Sequence, residues 1–175
     1  DGFTLADGNM GTGVGGGLNM TGGTVQNCVI SNNAAESGSG VYISGGTLQA
    51  SVICRNGTAS GFYGGGGIYI AGPCKIRSCL ITANAATHRG GAVMVFSAVA
   101  ELENCTIVGN SAGWSGGGIC YEGGACPTRN SIIITNYCGN TGWSEMDAIG
   151  SVMYSCSPVL TGGTGNIAND PVFVA

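Results

Sequence analysis

Charge is scarce in this chain of 175 residues: five Lys and Arg and nine Asp and Glu make up 8% of it. A mixed soluble protein carries about 25%. So few cations, with a net charge of −4, exclude a phosphate-binding surface, whose footprint is clustered Lys and Arg. Histidine occurs once, at His88, and no Cys/His spacing accompanies it, so no metal site is expected. Four Pro and no strict Gly triplet exclude collagen. Every apolar run falls far short of the ~20 residues that a membrane-spanning helix needs. The poverty in charge does not signal disorder, because 43% of the residues are hydrophobic. The opening Asp1-Gly2-Phe3-Thr4 reads as that of a processed or excised chain.

What the chain has in excess is glycine, 35 residues, and the excess belongs to a repeat. Segments 24–33, 47–56, 75–84, 101–110 and 127–136 align without gaps. They bring Ile30, Ile53, Ile81, Ile107 and Ile133 into one column and Asn33, Asn56, Asn84, Asn110 and Asn136 into another, at steps of 23, 28, 26 and 26 residues. Each block is preceded by a second signature: GGGLNM (15–20), SGVYIS (39–44), GGGIYI (65–70), GGAVMV (90–95) and GGGICY (116–121). Short runs of Val, Ile, Leu and Thr between Gly, Asn and Ser are strands and turns, and no stretch has the 3.6-residue period of an amphipathic helix. The pattern predicts an all-β, right-handed parallel β-helix of about six rungs, each stacked ~4.8 Å above the last. One domain spans 1–175: an opening partial rung at 1–14, five repeats over 15–142, and a closing rung with the C-terminal segment at 143–175.

In that frame Val25, Leu48, Ile76, Leu102 and Thr128 form one inward ladder, and Cys28, Ser51, Cys79, Cys105 and Ser131 a second. The isoleucine column is a third, and Leu18, Val41, Ile68, Val93 and Ile119 open the other strand. Asn27, Ala50, Ser78, Asn104 and Asn130 mark a bend, where Asn tolerates left-handed dihedrals and its amide is placed to bond the Asn above. Gln26, Gln49, Arg77, Glu103 and Arg129 face outward, so Arg77, Glu103 and Arg129 alternate in sign on successive rungs, with Lys75 and Glu101 beside them. Opposite charges one rung apart are a structural feature before they are a catalytic one. His88 lies in a turn beside Arg89. Asp7, Glu36, Arg55, Glu122, Glu145, Asp147 and Asp170 fall in separate turns without stacking. No Ser has a basic partner in register, so no nucleophile is expected. The glycine clusters precede strands, which excludes a phosphate loop. The nine Cys read mostly as core filler. One or two disulfides are expected among Cys120, Cys126, Cys138 and Cys156, while Cys74 and Cys126 stand two rungs apart, too far to bridge.

With GGGL, GGGI, GGAV and GGGI preceding five Ile-x-x-Asn blocks, the chain resembles the right-handed parallel β-helix (pectate-lyase-like) repeat proteins of bacterial surfaces. Its repeats are similar to those of the chlamydial polymorphic outer-membrane proteins, with Ile in place of their Phe. The resemblance covers nearly the whole chain. It implies export, an extracellular or cell-surface location, and a scaffolding or adhesive role. The enzymatic branch of these folds sets Asp or Glu, Lys and Arg in a groove on one strand face. No matching set occurs here, so neither a catalytic residue nor a cofactor is expected.

Three functions compete. The first is a non-catalytic filament subunit, stalk or adhesin module, stacked head to tail or joined to flanking domains, with Phe3, Leu5, Val172, Phe173 and Val174 at its mating ends. The second is a carbohydrate-binding or polysaccharide-cleaving β-helix, with Trp114, Trp143, Tyr42, Tyr63 and Tyr69 as a sugar platform. The third, ice binding, needs a regular array of Thr, and only Thr24 and Thr47 align.

Overall fold

The computed structural model describes residues 1–58, 64–96, 98–140, 142–143, 145–146 and 152–169. It is an all-β parallel solenoid in which four sheets run along one axis. The first sheet holds Leu18–Met20, Val41–Ile43, Ile68–Ile70, Val93–Val95 and Ile119–Tyr121. The second holds Thr24–Gln26, Gly46–Gln49, Cys74–Arg77, Ala98–Glu103, Thr128–Arg129 and Val152–Met153, with Gly124–Ala125 paired to its fourth strand. Thr4–Ala6, Val29–Ser31, Val52–Cys54, Leu80–Thr82, Thr106–Val108 and Ile132–Ile134 make the third. The fourth is built of the short pieces Ala34–Ala35, Gly57–Thr58, Ala85–Ala86, Ser111–Ala112 and Tyr137–Cys138, closed by Gly142–Trp143. That last strand is antiparallel, the exception among the described strands.

The coil completes about five turns rather than six. At the first end Thr4–Ala6 pairs with Val29–Ser31, but only isolated bridges at Asn9 and Val14 continue that rung. At the other end the described residues of the closing rung pair through Val152–Met153 and through bridges at Met146 and Cys156.

Register places identical repeat positions one above another, so each column becomes a ladder. Leu48, Ile76 and Leu102 are buried beside fully buried Ile30, Ile53, Ile81, Ile107 and Ile133, and Val41, Ile68, Val93 and Ile119 close the core from the first sheet. Val25 and Leu18, in the end strands of their sheets, are only half-buried.

The bend column has the expected left-handed backbone, with φ between 47° and 57° at Asn27, Ala50, Ser78, Asn104 and Asn130. The turn points the following amide inward, where it needs an acceptor. The next rung supplies one: the Cys28 and Cys105 amides donate to the Oγ atoms of Ser51 and Ser131 at 3.1 Å. The Ser51 and Cys79 amides meet the thiols of Cys79 and Cys105. These cysteines are therefore hydrogen-bond acceptors as well as filler.

The asparagine amides do not stack in the bend column as the sequence suggested; Asn27 Nδ2 donates to Asp1 instead. The amide ladder lies in the column that follows the isoleucines. There each Asn donates both its backbone N–H and its Nδ2 to the Oδ1 of the next, from Asn33 to Asn56, Asn84, Asn110 and Asn136, at 2.9–3.0 Å. The second Nδ2 hydrogen reaches back one coil, to the carbonyls of Ile30, Ile53, Ile81 and Ile107. Each buried amide in the middle of the run is thus saturated, which is the condition for burying it.

This ladder explains why the two sequence signatures travel together. The chain enters the first sheet through a left-handed glycine, Gly65 at φ 75° in the third coil. Two residues later Gly67 faces the ladder across the coil: a Cβ there would sit 3.1 Å from Asn84 Nδ2 and 2.6 Å from the Ala92 carbonyl. At Gly17, Gly40, Gly67 and Gly118 the missing Cβ makes room for the asparagine opposite, while Ala92 holds that position in the fourth coil.

Candidate functional site

Two outward features carry chemistry. The first is the charged face of the second sheet. Register sets Lys75 beside Glu101 and Arg77 beside Glu103, with Arg129 next in line. The Arg77 guanidinium lies 3.3 Å from Glu103 and 3.5 Å from Glu101, and Lys75 stands 3.9 Å from Glu101. Arg129 continues the column, but the ion pairs among the described residues end at Glu103. Each of these side chains keeps more than a third of its surface in water, so the cluster is a screened surface network worth little to stability. Below it lies an open depression of about 320 Å³ lined by Thr47, Lys75, Val99 and Glu101.

The second feature is the corner that follows the fourth sheet. Since Ala86, Ala112 and Cys138 stand in register, the residues after them stack too. Thr87, Gly113 and Gly139 form one column, and His88, Trp114 and Asn140 the next. Together they line a groove of about 420 Å³. The Trp114 amide donates to the His88 carbonyl at 2.7 Å, and the Cys138 thiol donates to the Trp114 carbonyl. Its indole is 47% exposed. The His88 ring lies 6.2 Å from it, and the Arg89 guanidinium 5.9 Å from the ring centroid. Arg89 Nη1 also pairs with Glu122, so Glu122 is not the isolated turn residue that its sequence context implied.

Glu145 is not isolated either. It is buried where a sixth asparagine would stand, and its Oε2 accepts the Asn136 amide at 3.0 Å and Asn136 Nδ2 at 2.7 Å. Burial raises its carboxyl above the ordinary range, with the Asn136 bonds opposing that rise. Gly8 occupies the other end of the ladder and donates its N–H to Asn33 Oδ1. Sequence reasoning missed this cap because Glu145 follows Asn136 by nine residues rather than a full repeat.

None of the nine cysteines is in a disulfide, so the bridges expected among Cys120, Cys126, Cys138 and Cys156 are not formed. Cys120 lies on the outward side of the first sheet with Met94 and Tyr69, whereas Cys126 points into the core beside Cys105 and Cys74. Burial pushes the thiols of Cys74, Cys79 and Cys126 up to about 12. Buried thiols of this kind are neither nucleophiles nor thiolate ligands at neutral pH. Among the described residues no three His, Cys, Asp or Glu side chains gather as metal ligands.

The five aromatics do not form one platform. Tyr42 and Tyr69 stack face to face at 5.4 Å, with Tyr69 only 7% exposed and Phe96 5.9 Å beyond it. That stack packs on the outward face of the first sheet, whereas Trp114 lies in the corner after the fourth. Tyr63 and the side chain of Trp143 lie outside the described residues, as do Asp147, Asp170, Val172, Phe173 and Val174. Of the named end residues that are described, Phe3 is 67% exposed and Leu5 packs partly against the core.

A parallel coil of four sheets with an internal amide ladder defines the chain as a β-solenoid. The family model for the right-handed beta helix region matches residues 4–160, and the chain belongs to that family. No curated protein and no solved structure matched it. No helix is long and apolar enough to cross a membrane among the described residues.

Proposed function

We propose that this β-helix is a non-catalytic structural module of the cell exterior, a stalk or adhesin segment whose rungs stack on copies of itself or on flanking domains. The observation that carries the reading is where its polar chemistry goes. The amides of the Asn33–Asn136 ladder bond to one another and to the backbone, and Glu145 bonds to the end of the run. The charges of the second sheet pair along the rod axis. Such chemistry supports stacking rather than turnover.

The strands that end each sheet offer one edge without a neighbouring strand among the described residues, Leu18–Met20 among them, while Gly2 already donates to the Gln26 carbonyl at the edge of Thr24–Gln26. Uncovered edges invite pairing with another chain, and contact that does not close on itself yields a filament. Sedimentation velocity at micromolar concentration tests self-stacking: concentration-dependent elongated oligomers support it, and a monodisperse monomer removes it. The non-catalytic part is tested by incubation with a panel of polysaccharides, where release of unsaturated uronides or reducing ends refutes it.

A further inference from the structure

We infer that the corner groove around Trp114 binds a neutral pyranose sugar, with the indole as the stacking face. The inference is independent of how the rod assembles. A large aromatic ring normally buries most of its surface, yet this one stands 47% exposed. Its backbone is anchored: the amide donates to the His88 carbonyl, the carbonyl accepts the Cys138 thiol, and the Arg89 guanidinium lies 5.9 Å from the ring centroid. A tethered backbone lowers the freedom that must be lost when a ligand stacks on the ring.

Around the ring stand the groups that hydroxyls require. Thr87, His88 and Asn140 line the same groove and carry hydrogen-bonding side chains, with the Thr87 hydroxyl also bonded to Thr58. Its floor is bare backbone at Gly113 and Gly139; at Gly113 a Cβ would lie 2.1 Å from the Thr87 carbonyl, so the rungs close up there. At about 420 Å³ the groove has the size and mixed lining of a small-ligand site. A pyranose matches it, with an apolar C–H face for the ring and an edge of hydroxyls for the polar rim. Electrostatics select the neutral class: Arg89 is paired with Glu122, and the chain carries a net charge of −4 that repels polyanions.

The test is titration of the intact chain, by calorimetry and indole fluorescence, with neutral cello-, xylo-, manno- and galacto-oligosaccharides and with oligogalacturonate as the charged arm. At least one neutral series is expected to bind. Trp114→Ala weakens it about tenfold or more, as loss of a central aromatic contact does, Trp114→Phe retains most of it, and Asn140→Ala weakens it without touching the ring. Tyr154→Ala, at an aromatic 59% exposed elsewhere, leaves binding unchanged. Thermal melts confirm that each variant is folded, and Asn140→Ala carries the test should Trp114→Ala not fold. No binding of a neutral series at millimolar concentration, binding that survives both Trp114→Ala and Asn140→Ala, or binding of the uronate alone would overturn the assignment.

Discussion

Replacing Asn84 with Ala strikes the centre of the amide ladder. Four partners lose a bond: the Asn56 amide and Asn56 Nδ2, which donate to Asn84 Oδ1, and the Ile53 carbonyl and Asn110 Oδ1, which accept from Asn84 Nδ2. All lie in the dry interior, where Asn84 is 1% exposed. At roughly 1 kcal/mol net per bond, with an additional penalty for a backbone N–H left buried without an acceptor, the loss is about 4–6 kcal/mol. That is a large part of the ~5–15 kcal/mol that holds a domain together. Asn104→Ala is the matched control, because the same change there falls in the left-handed bend column. Ala50 already occupies that column at φ 47°, so only the mild dihedral preference is lost, about 1 kcal/mol. Urea unfolding followed by circular dichroism measures both. Equal shifts in the two midpoints, or a loss under about 1 kcal/mol for Asn84→Ala, would refute the reasoning that the ladder stabilises the coil.

Three other outcomes are expected. Because burial holds the folded-state carboxyl of Glu145 above its ordinary value, its contribution is fully present below that value and lost as pH rises through the raised one. Comparing unfolding free energies of the native chain and Glu145→Gln from pH 4 to 8 shows this as a slope that the variant lacks. Arg77→Ala removes two ion pairs on a solvated face, so its unfolding midpoint moves by no more than about 1 kcal/mol, and less in high salt. The thiols of Cys74, Cys79 and Cys126, pushed up to about 12 by burial, stay unlabelled by an aromatic disulfide reagent at pH 8 until denaturant is added, unlike the partly exposed Cys54; prompt labelling of those three in native buffer, located by peptide mass spectrometry, would show an open core.

Much of the fold was legible before any coordinates. Aligning Ile30 with Ile53, Ile81, Ile107 and Ile133 already gives the register of the third sheet, because in a solenoid one repeat step is one rung. The charge column read the same way: Arg77 and Glu103 follow one another in a single column and lie 3.3 Å apart in space. The corner groove was less legible. Trp114 was singled out, but with Tyr42 and Tyr69, which pack on a different sheet. His88 and Asn140 join it only because the chain turns after Ala86, Ala112 and Cys138 at the same point in successive coils.

Sequence periodicity by itself determined the class of fold, the ladders and the scarcity of free charge, since each follows from residues at equal positions along repeats. Tertiary structure alone decided which asparagine column bonds to itself, that Glu145 closes it, that Gly67 faces Asn84 across the coil, and that the cysteines stay unbridged. These contacts join different columns, or residues off the repeat step. Their distances depend on the angles of the corners, and no period in the sequence encodes those.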